Sequence, residues 1–260
     1  MRLLLTLLLS AFGLAAARGQ FELTLRAEKS GYLLYEPVDL VCTVRNTSAQ
    51  AATLGESAPH AVVSLRIRDP QGLSPRRREA PLLEEAIPLE SDHQATFRLR
   101  LTRAFEITQA GIYTLELQVA QGGLVHTSAK VMVEILRGTE IGRVLGVNPP
   151  RLFLISSANR REGVFLYLRV DNPEQTESYG VWEVDRHLAG RPPERLFDGA
   201  GRLHLLHQSA PYQFTHVVLS PEGQPVSRQR YKQVFSDTHL RRRPDGSVEV
   251  QGGDLIEFKE

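Results

Sequence analysis

The chain has a single cysteine, Cys42, in 260 residues. It cannot close an internal disulfide, so any small exported domain it forms must hold together by packing alone. An excess of charge of one sign is missing too: 31 Lys and Arg stand against 30 Asp and Glu, a net charge of +1. That balance gives no footprint for nucleic acid or an anionic membrane. Lysine is scarce, present only as Lys29, Lys130, Lys232 and Lys259. The arginine excess reads as the composition bias of a GC-rich bacterial genome. Beyond residue 20 no apolar run approaches the roughly 20 residues that a membrane-spanning helix needs. Helical periodicity is scarce as well.

What is present begins with MRLLLTLLLSAFGLAAARGQ. Arg2, the apolar run from Leu3 to Leu14, and the small residues Ala15, Ala16 and Ala17 have the order of a secretory signal peptide. Cleavage is expected after Ala17 or Gly19. No cysteine follows the apolar run, so no lipoprotein anchor is expected. These features predict an exported chain, periplasmic or extracellular, with residues 1–19 as signal peptide and no integral membrane segment after cleavage.

About 240 residues remain, enough for one large domain or two ordinary ones. Apolar residues make up 42% of the chain, enough to bury a core. Their pattern is alternation, broken at Gly, Pro, Asn and Asp. FELTLRA places Phe21, Leu23 and Leu25 on one face, and PVDLVCTVRN does the same with Val38, Leu40, Cys42 and Val44. AVVSLRIRDPQG, ATFRLRLT, GIYTLELQV and AKVMVEIL repeat the pattern, and a weaker run lies near 86–90. A period of two with one polar face predicts half-buried strands of antiparallel sheets. Seven such strands fit within residues 20–137, the density of a β-sandwich. Cys42 shares the apolar face, so it is expected to pack as a small hydrophobe and not as a nucleophile.

Residues 138–150 are expected to be a linker, with their glycines and the Asn148-Pro149-Pro150 end. A second strand set follows over 151–253: RLFLISS, GVFLYLRVDN, GVWEVDRH, GRLHLLHQS, YQFTHVVLS, PVSRQRYKQVF and GSVEVQ. The turns at 198–201, 221–223 and 244–246 suit a meander of hairpins. Residues 254–260 are expected to form a short tail that frays or adds an edge strand. The fold class is thus all-β, a seven-stranded sandwich followed by an antiparallel β-meander domain.

YEPVDLVCTVRN at 35–46, VSLRIRDPQG at 63–72 and AGIYTLELQV at 110–119 carry a family likeness. In this order they make residues 20–137 resemble a bacterial immunoglobulin-like module of the macroglobulin or fibronectin type III kind. The resemblance implies an immunoglobulin-like sandwich, with Tyr113 as a candidate tyrosine corner. It implies no activity: the paired cysteines and strand tryptophan of antibody domains are absent, and so is a thioester-type cysteine motif. Residues 150–260 carry no comparable likeness.

Few groups suggest chemistry. His187, His204, His207, His216 and His239 gather late, but a zinc site needs three or four converging ligands. His204 and His207 fall on opposite strand faces. His216 aligns with Phe214 and Val218. Ser209 lacks a strained Gly-x-Ser-x-Gly turn. Glu84, Glu85, Asp185 and Asp198 have no spacing that favours glycoside hydrolysis. Arg76–Arg78, Arg160-Arg161 and Arg241–Arg243 read as solvated loops, or else as contacts for an anionic partner. Trp182, the only tryptophan, reads as core or as a stacking platform for sugar. No catalytic, cofactor or metal residue is assigned. The expected function is a non-enzymatic interaction or assembly module of a bacterial envelope or secreted complex, with a protein partner. The alternatives are a carbohydrate-binding accessory module or weak hydrolase with a glycan partner, and a protease-inhibitor-like module.

Overall fold

The computed structural model describes residues 20–234 and 237–256. The expected signal peptide and residues 257–260 of the expected tail lie outside them. The described residues form 21 strands and one four-residue helix, an all-β chain. No described helix is long and apolar enough to cross a membrane.

The first strands are β1 (Phe21–Ala27), β2 (Gly31–Leu33), β3 (Asp39–Asn46), β4 (Ala52–Gly55), β5 (Ala61–Arg68), β6 (Ile87–Leu89) and β7 (Gln94–Arg100). After the helix α1 (Leu101–Ala104) come β8 (Gly111–Gln121), β9 (Leu124–Thr127) and β10 (Val131–Leu136). One sheet runs β1-β3-β7. The other runs β2-β10-β8-β5-β4-β6, with β9 beside β8. All seven expected runs are strands. The count is nevertheless ten, because β2, β4 and β9 span only three or four residues, too few to show alternation.

Both sheets send their apolar faces into one buried cluster drawn from residues 21–135. In the three-stranded sheet Cys42 lies between Leu25 and Phe97 in register. It is fully buried with Val38, Leu40 and Val44. Opposite, β8 buries Tyr113, Leu115, Leu117 and Val119 in strict alternation. The Tyr113 hydroxyl donates to the Gln109 carbonyl at 3.0 Å, four residues upstream. Asn46 ends β3 fully buried, its amide donating to the Gln50 carbonyl at 2.7 Å.

Residues 139–147 are not a linker. They form β11 (Thr139–Val147), paired along its length with β12 (Pro150–Arg160). The glycines that suggested a joint serve close packing. A Cβ on Gly142 would lie 2.6 Å from the Arg195 guanidinium, and one on Gly146 would lie 3.1 Å from the Phe153 ring. With β13 (Gly163–Asp171) and β14 (Ser178–Arg186) these strands make a meander, β11-β12-β13-β14. A second sheet follows the order β15 (Glu194–Phe197), β16 (Leu203–Ala210), β17 (Gln213–Leu219), β18 (Pro225–Gln233) and β21 (Gly253–Leu255). The hairpin of β19 (His239–Arg242) and β20 (Val248–Gln251) forms its own two-stranded sheet, packed through Leu240, Val248 and Val250 against Leu206 and Phe214. Part of the expected tail is therefore strand β21.

Phe153, Ile155, Leu166, Leu168, Leu205 and Leu219 belong to the buried cluster that these two sheets share. A smaller cluster forms the seam with the first half. Leu33 and Leu136 meet Ala158, Phe165, Tyr167 and Val181 there.

Burial raises the Cys42 thiol to about 12, so the unreactive protonated form prevails at neutral pH. A thiol reagent is expected to label the folded protein slowly and the urea-unfolded protein at once. Cys42→Ser is expected to lower stability by about 1–3 kcal/mol, because it buries a hydroxyl in an apolar site. Cys42→Ala, which buries no polar group, is expected to cost less. Urea unfolding curves measure both. Fast stoichiometric labelling of the native protein contradicts the packing role.

Candidate functional site: a groove between two open sheet edges

The two sheets of the second half are open along one side. β14 is the last strand of its sheet, and residues 225–229 of β18 pair only with β17. Between these edges lies a groove of about 340 Å³. Leu168, Val184, Val217 and Leu219 line it from the shared core, and Trp182 and Val226 from the rims. Glu183, Ser227 and Arg228 supply its polar groups. Trp182 is half-buried: it packs against the core and also forms a groove wall. Gly180 makes this possible. A Cβ there would lie 2.5 Å from the indole, so only glycine leaves the ring its place over β14.

Charged groups at the rim are tied down by partners distant in sequence. Asp185 Oδ2 accepts from Thr215 Oγ1 at 2.9 Å, Arg228 Nη2 at 2.8 Å and Arg230 Nη2 at 3.0 Å. Its Oδ1 accepts the Arg186 amide at 2.8 Å. Burial pushes the Asp185 carboxyl up, but the bond from Arg228, the Arg186 amide and Thr215 outweigh it and hold it at about 2. Glu183 Oε2 accepts from Lys29 Nζ and Arg160 Nη1, both at 2.7 Å. Lys29 also meets the buried Glu36. This network crosses the seam between the halves. Burial opposes the charge on Lys29, and its bonds to Glu183 and Glu36 more than compensate, leaving its pKa raised.

Arg160 therefore corrects the sequence reading. Its side chain is 8% exposed, sits over the Phe165 ring, and is part of this network, not of a solvated loop. The other arginine runs stay at the surface. Arg76 and Arg77 approach Glu106 and Glu56 at 3.8 and 3.6 Å, Arg241 and Arg242 are exposed on β19, and Arg243 pairs with Glu249. Glu84 pairs with Arg103 in a charged cleft beside Asp39, Glu85, Arg98 and Arg100. Each of its arginines has an acidic partner, Arg98 on Glu28 and Arg100 on Asp39.

The late histidines form two buried groups. His204 Nε2 lies 3.2 Å from Asp198 Oδ2, and His204 Nδ1 lies 3.0 Å from His216 Nε2. With both rings neutral, one assignment fits: His216 Nε2–H donates to His204, whose Nε2–H donates to Asp198. The His216 Nδ1 lone pair is left buried and unpartnered. His207 faces the other way, its ring centroid 5.7 Å from that of His187. No local spacing in the sequence joins Asp198 to these histidines. The turn at 211–212 sets His216 opposite Leu206, diagonal to His204, and so closes the group. His239 lies apart, its Nδ1 2.9 Å from the Asp237 carbonyl. Among the described residues no three His, Cys, Asp or Glu converge on a metal position. Ser209 Oγ has no hydrogen-bond partner, so no base activates it.

Burial lowers the pKa of His187, His204, His207 and His216, the last two to about 4. In the unfolded chain these rings titrate near 6.5. Above that value both states are neutral and the stability is complete. As pH falls from about 6.5 to about 4, the unfolded state takes up protons that the folded state refuses, and stability falls. His207 and His216 each account for up to roughly 3 kcal/mol of this loss. The urea midpoint is expected to drop over that interval, and His207→Met to flatten the drop. A midpoint independent of pH from 7 to 4 contradicts the burial of neutral imidazoles.

No family model matches the chain, and no curated protein matches it. Two solved structures give distant likenesses. The sporulation control protein Spo0M of Bacillus subtilis is 12% identical over 83% of this chain and 91% of its own, with a TM-score of 0.28. A beta-glucosidase of Listeria innocua, solved in complex with glucose, is 14% identical over 44% of this chain, with a TM-score of 0.26. The chain spans 16% of that glucosidase. Neither score indicates a shared fold.

Proposed function

We propose that the chain is an exported, non-enzymatic interaction module of a bacterial envelope or secreted complex, and that it receives a protein partner in the groove between β14 and β18. The observation that carries this reading is the groove itself: an apolar hollow of about 340 Å³ between two unpaired edges, with Trp182 as one wall. Pockets of this kind, mostly apolar with a few placed polar groups, are the usual form of a binding site. The catalytic alternative finds less support. His204, His207 and His216 are buried on β16 and β17, and none activates Ser209.

The proposal extends to the fold. Residues 20–137 are read as an immunoglobulin-like sandwich, supported by the two sheets around one core and by Tyr113 bonded back to Gln109. Residues from 138 onward are read as a second unit that meets the first at the Leu33–Tyr167 seam. Export to the periplasm or beyond rests on the first 19 residues of the sequence.

A glycan is the second reading, favoured by Trp182 beside Glu183, Ser227 and Arg228. The aliphatic walls weigh against it, because a sugar ring packed there would leave hydroxyls without partners.

The immobilised chain is expected to retain a defined protein from the exported fraction of its source cell. Val226→Arg, at an exposed groove position, and Trp182→Ala are expected to lose it. Met132→Arg, at a more exposed position far along the chain on β10, is expected to keep it. Retention by both groove variants contradicts the assignment. Selective capture of an oligosaccharide on a glycan array, lost in Trp182→Ala, moves the assignment to the second reading.

A further inference from the structure

We propose that the groove reads the C-terminal end of a partner chain: an aliphatic last side chain against Trp182, Pro225 and Val226, with its carboxylate on Arg228. This inference rests on the reading of the groove as a docking site for a protein.

The polarity of the rim selects the head group. Arg228 lines the groove, and its side chain is 47% exposed. It spends one nitrogen, Nη2, on Asp185, and Asp185 is itself divided among Thr215, the Arg186 amide and Arg230. A guanidinium has five N–H donors in a fixed fork. Arg228 therefore keeps donors to spare. The acid on the opposite rim does not oppose an anion in the same measure, because Glu183 is held between Lys29 and Arg160. The rim thus offers a carboxylate one cation with open donors, and such a bond is of the stronger, charge-assisted kind.

The walls select the tail. Leu168, Val184, Val217 and Leu219 are already packed beneath the groove, and the apolar surface still open above them belongs to Trp182, Pro225 and Val226. Aliphatic groups gain from this surface, whereas polar groups lose their hydration without compensation.

Both edges resist a long added strand. β14 carries a bulge at Val184, where the pairing shifts between Leu166 and Tyr167. β18 begins at Pro225, which has no N–H, and shifts register at Val226. Bulges and prolines are what keep open edges from pairing with another chain. The occupant is then held by a side chain and a head group, not by a ladder. A volume of about 340 Å³ is near the lower end of binding pockets, which run from about 300 to 1,000 Å³. A chain terminus meets all three conditions, because its carboxylate is attached to the same Cα as its last side chain, and terminal carboxylates are a recurrent mode of peptide recognition.

The single tryptophan makes the test direct. The probes are the acetylated peptide Gly-Ser-Gly-Val-Leu with a free carboxylate, the same peptide amidated, Gly-Ser-Gly-Ser-Ser with a free carboxylate, octanoate, and a neutral oligosaccharide. Each is titrated against the full chain while Trp182 emission is followed. The free-carboxylate Val-Leu peptide is expected to shift the emission and to bind about tenfold or more tighter than its amide, the effect of one charge-assisted bond. Arg228→Gln is expected to erase the difference between acid and amide, and Arg228→Lys to restore part of it. A melting curve for each variant verifies folding. Equal affinity for acid and amide, no effect of Arg228→Gln, or tighter binding of Ser-Ser, octanoate or oligosaccharide overturns the proposal. If the peptides fail while Val226→Arg still loses the native partner, the terminus is the wrong ligand and the docking site stands. If Val226→Arg keeps the partner, the docking site itself is wrong.

Discussion

Each strand of this chain has two faces, and without a covalent cross-link only the side chains on the inner face hold the sheets together. The constraint is visible in β8. Tyr113, Leu115, Leu117 and Val119 are buried, while Ile112, Thr114 and Glu116 between them face outward or lie only half covered. A slip of one residue would turn the whole apolar set to solvent. The register is pinned from both sides, by β5 and by β10, and again by Ser128, whose hydroxyl accepts the Leu117 amide at 3.0 Å. Cys42 holds the same kind of position on the facing sheet. Because the inner faces carry the stability, the outer faces are free to hold exposed ion pairs, such as Arg98 with Glu28 and Arg45 with Asp92, that contribute little.

The second half satisfies the same constraint less completely. Its sheets close on the side where β11 and β15 lie, with Phe153 edge-on to Phe197 at 5.9 Å between ring centroids. On the other side they leave a groove above the buried Leu168 and Leu219. This gap between two otherwise packed sheets is what forms the groove.

The all-β class and most strand positions were legible because alternation is local. Phe21–Ala27 and the Cys42 face follow from neighbours two residues apart. What was not legible depended on contacts made far along the chain. Gly142 and Gly146 looked like a joint because sequence shows a missing side chain, not the Arg195 and Phe153 atoms that fill its place. Arg160 looked solvated beside Arg161, but its partner Glu183 is 23 residues away, and Lys29 in the same network is 154 residues from Glu183. The groove was hinted at only by Trp182. Its walls come from β13, β14, β17 and β18, and no local pattern joins them. The Asp198, His204 and His216 group needed a hairpin register, which one bulge near Ser209 is enough to shift.

The burial of Cys42 also fixes how the chain responds to its redox surroundings. With one thiol, and that one enclosed by Leu25 and Phe97, the fold has no covalent state to gain or lose. The folded state draws no stability from a disulfide, and its folding needs no disulfide catalyst. The same chain can reach the same structure in a reducing cytosol and in an oxidising compartment.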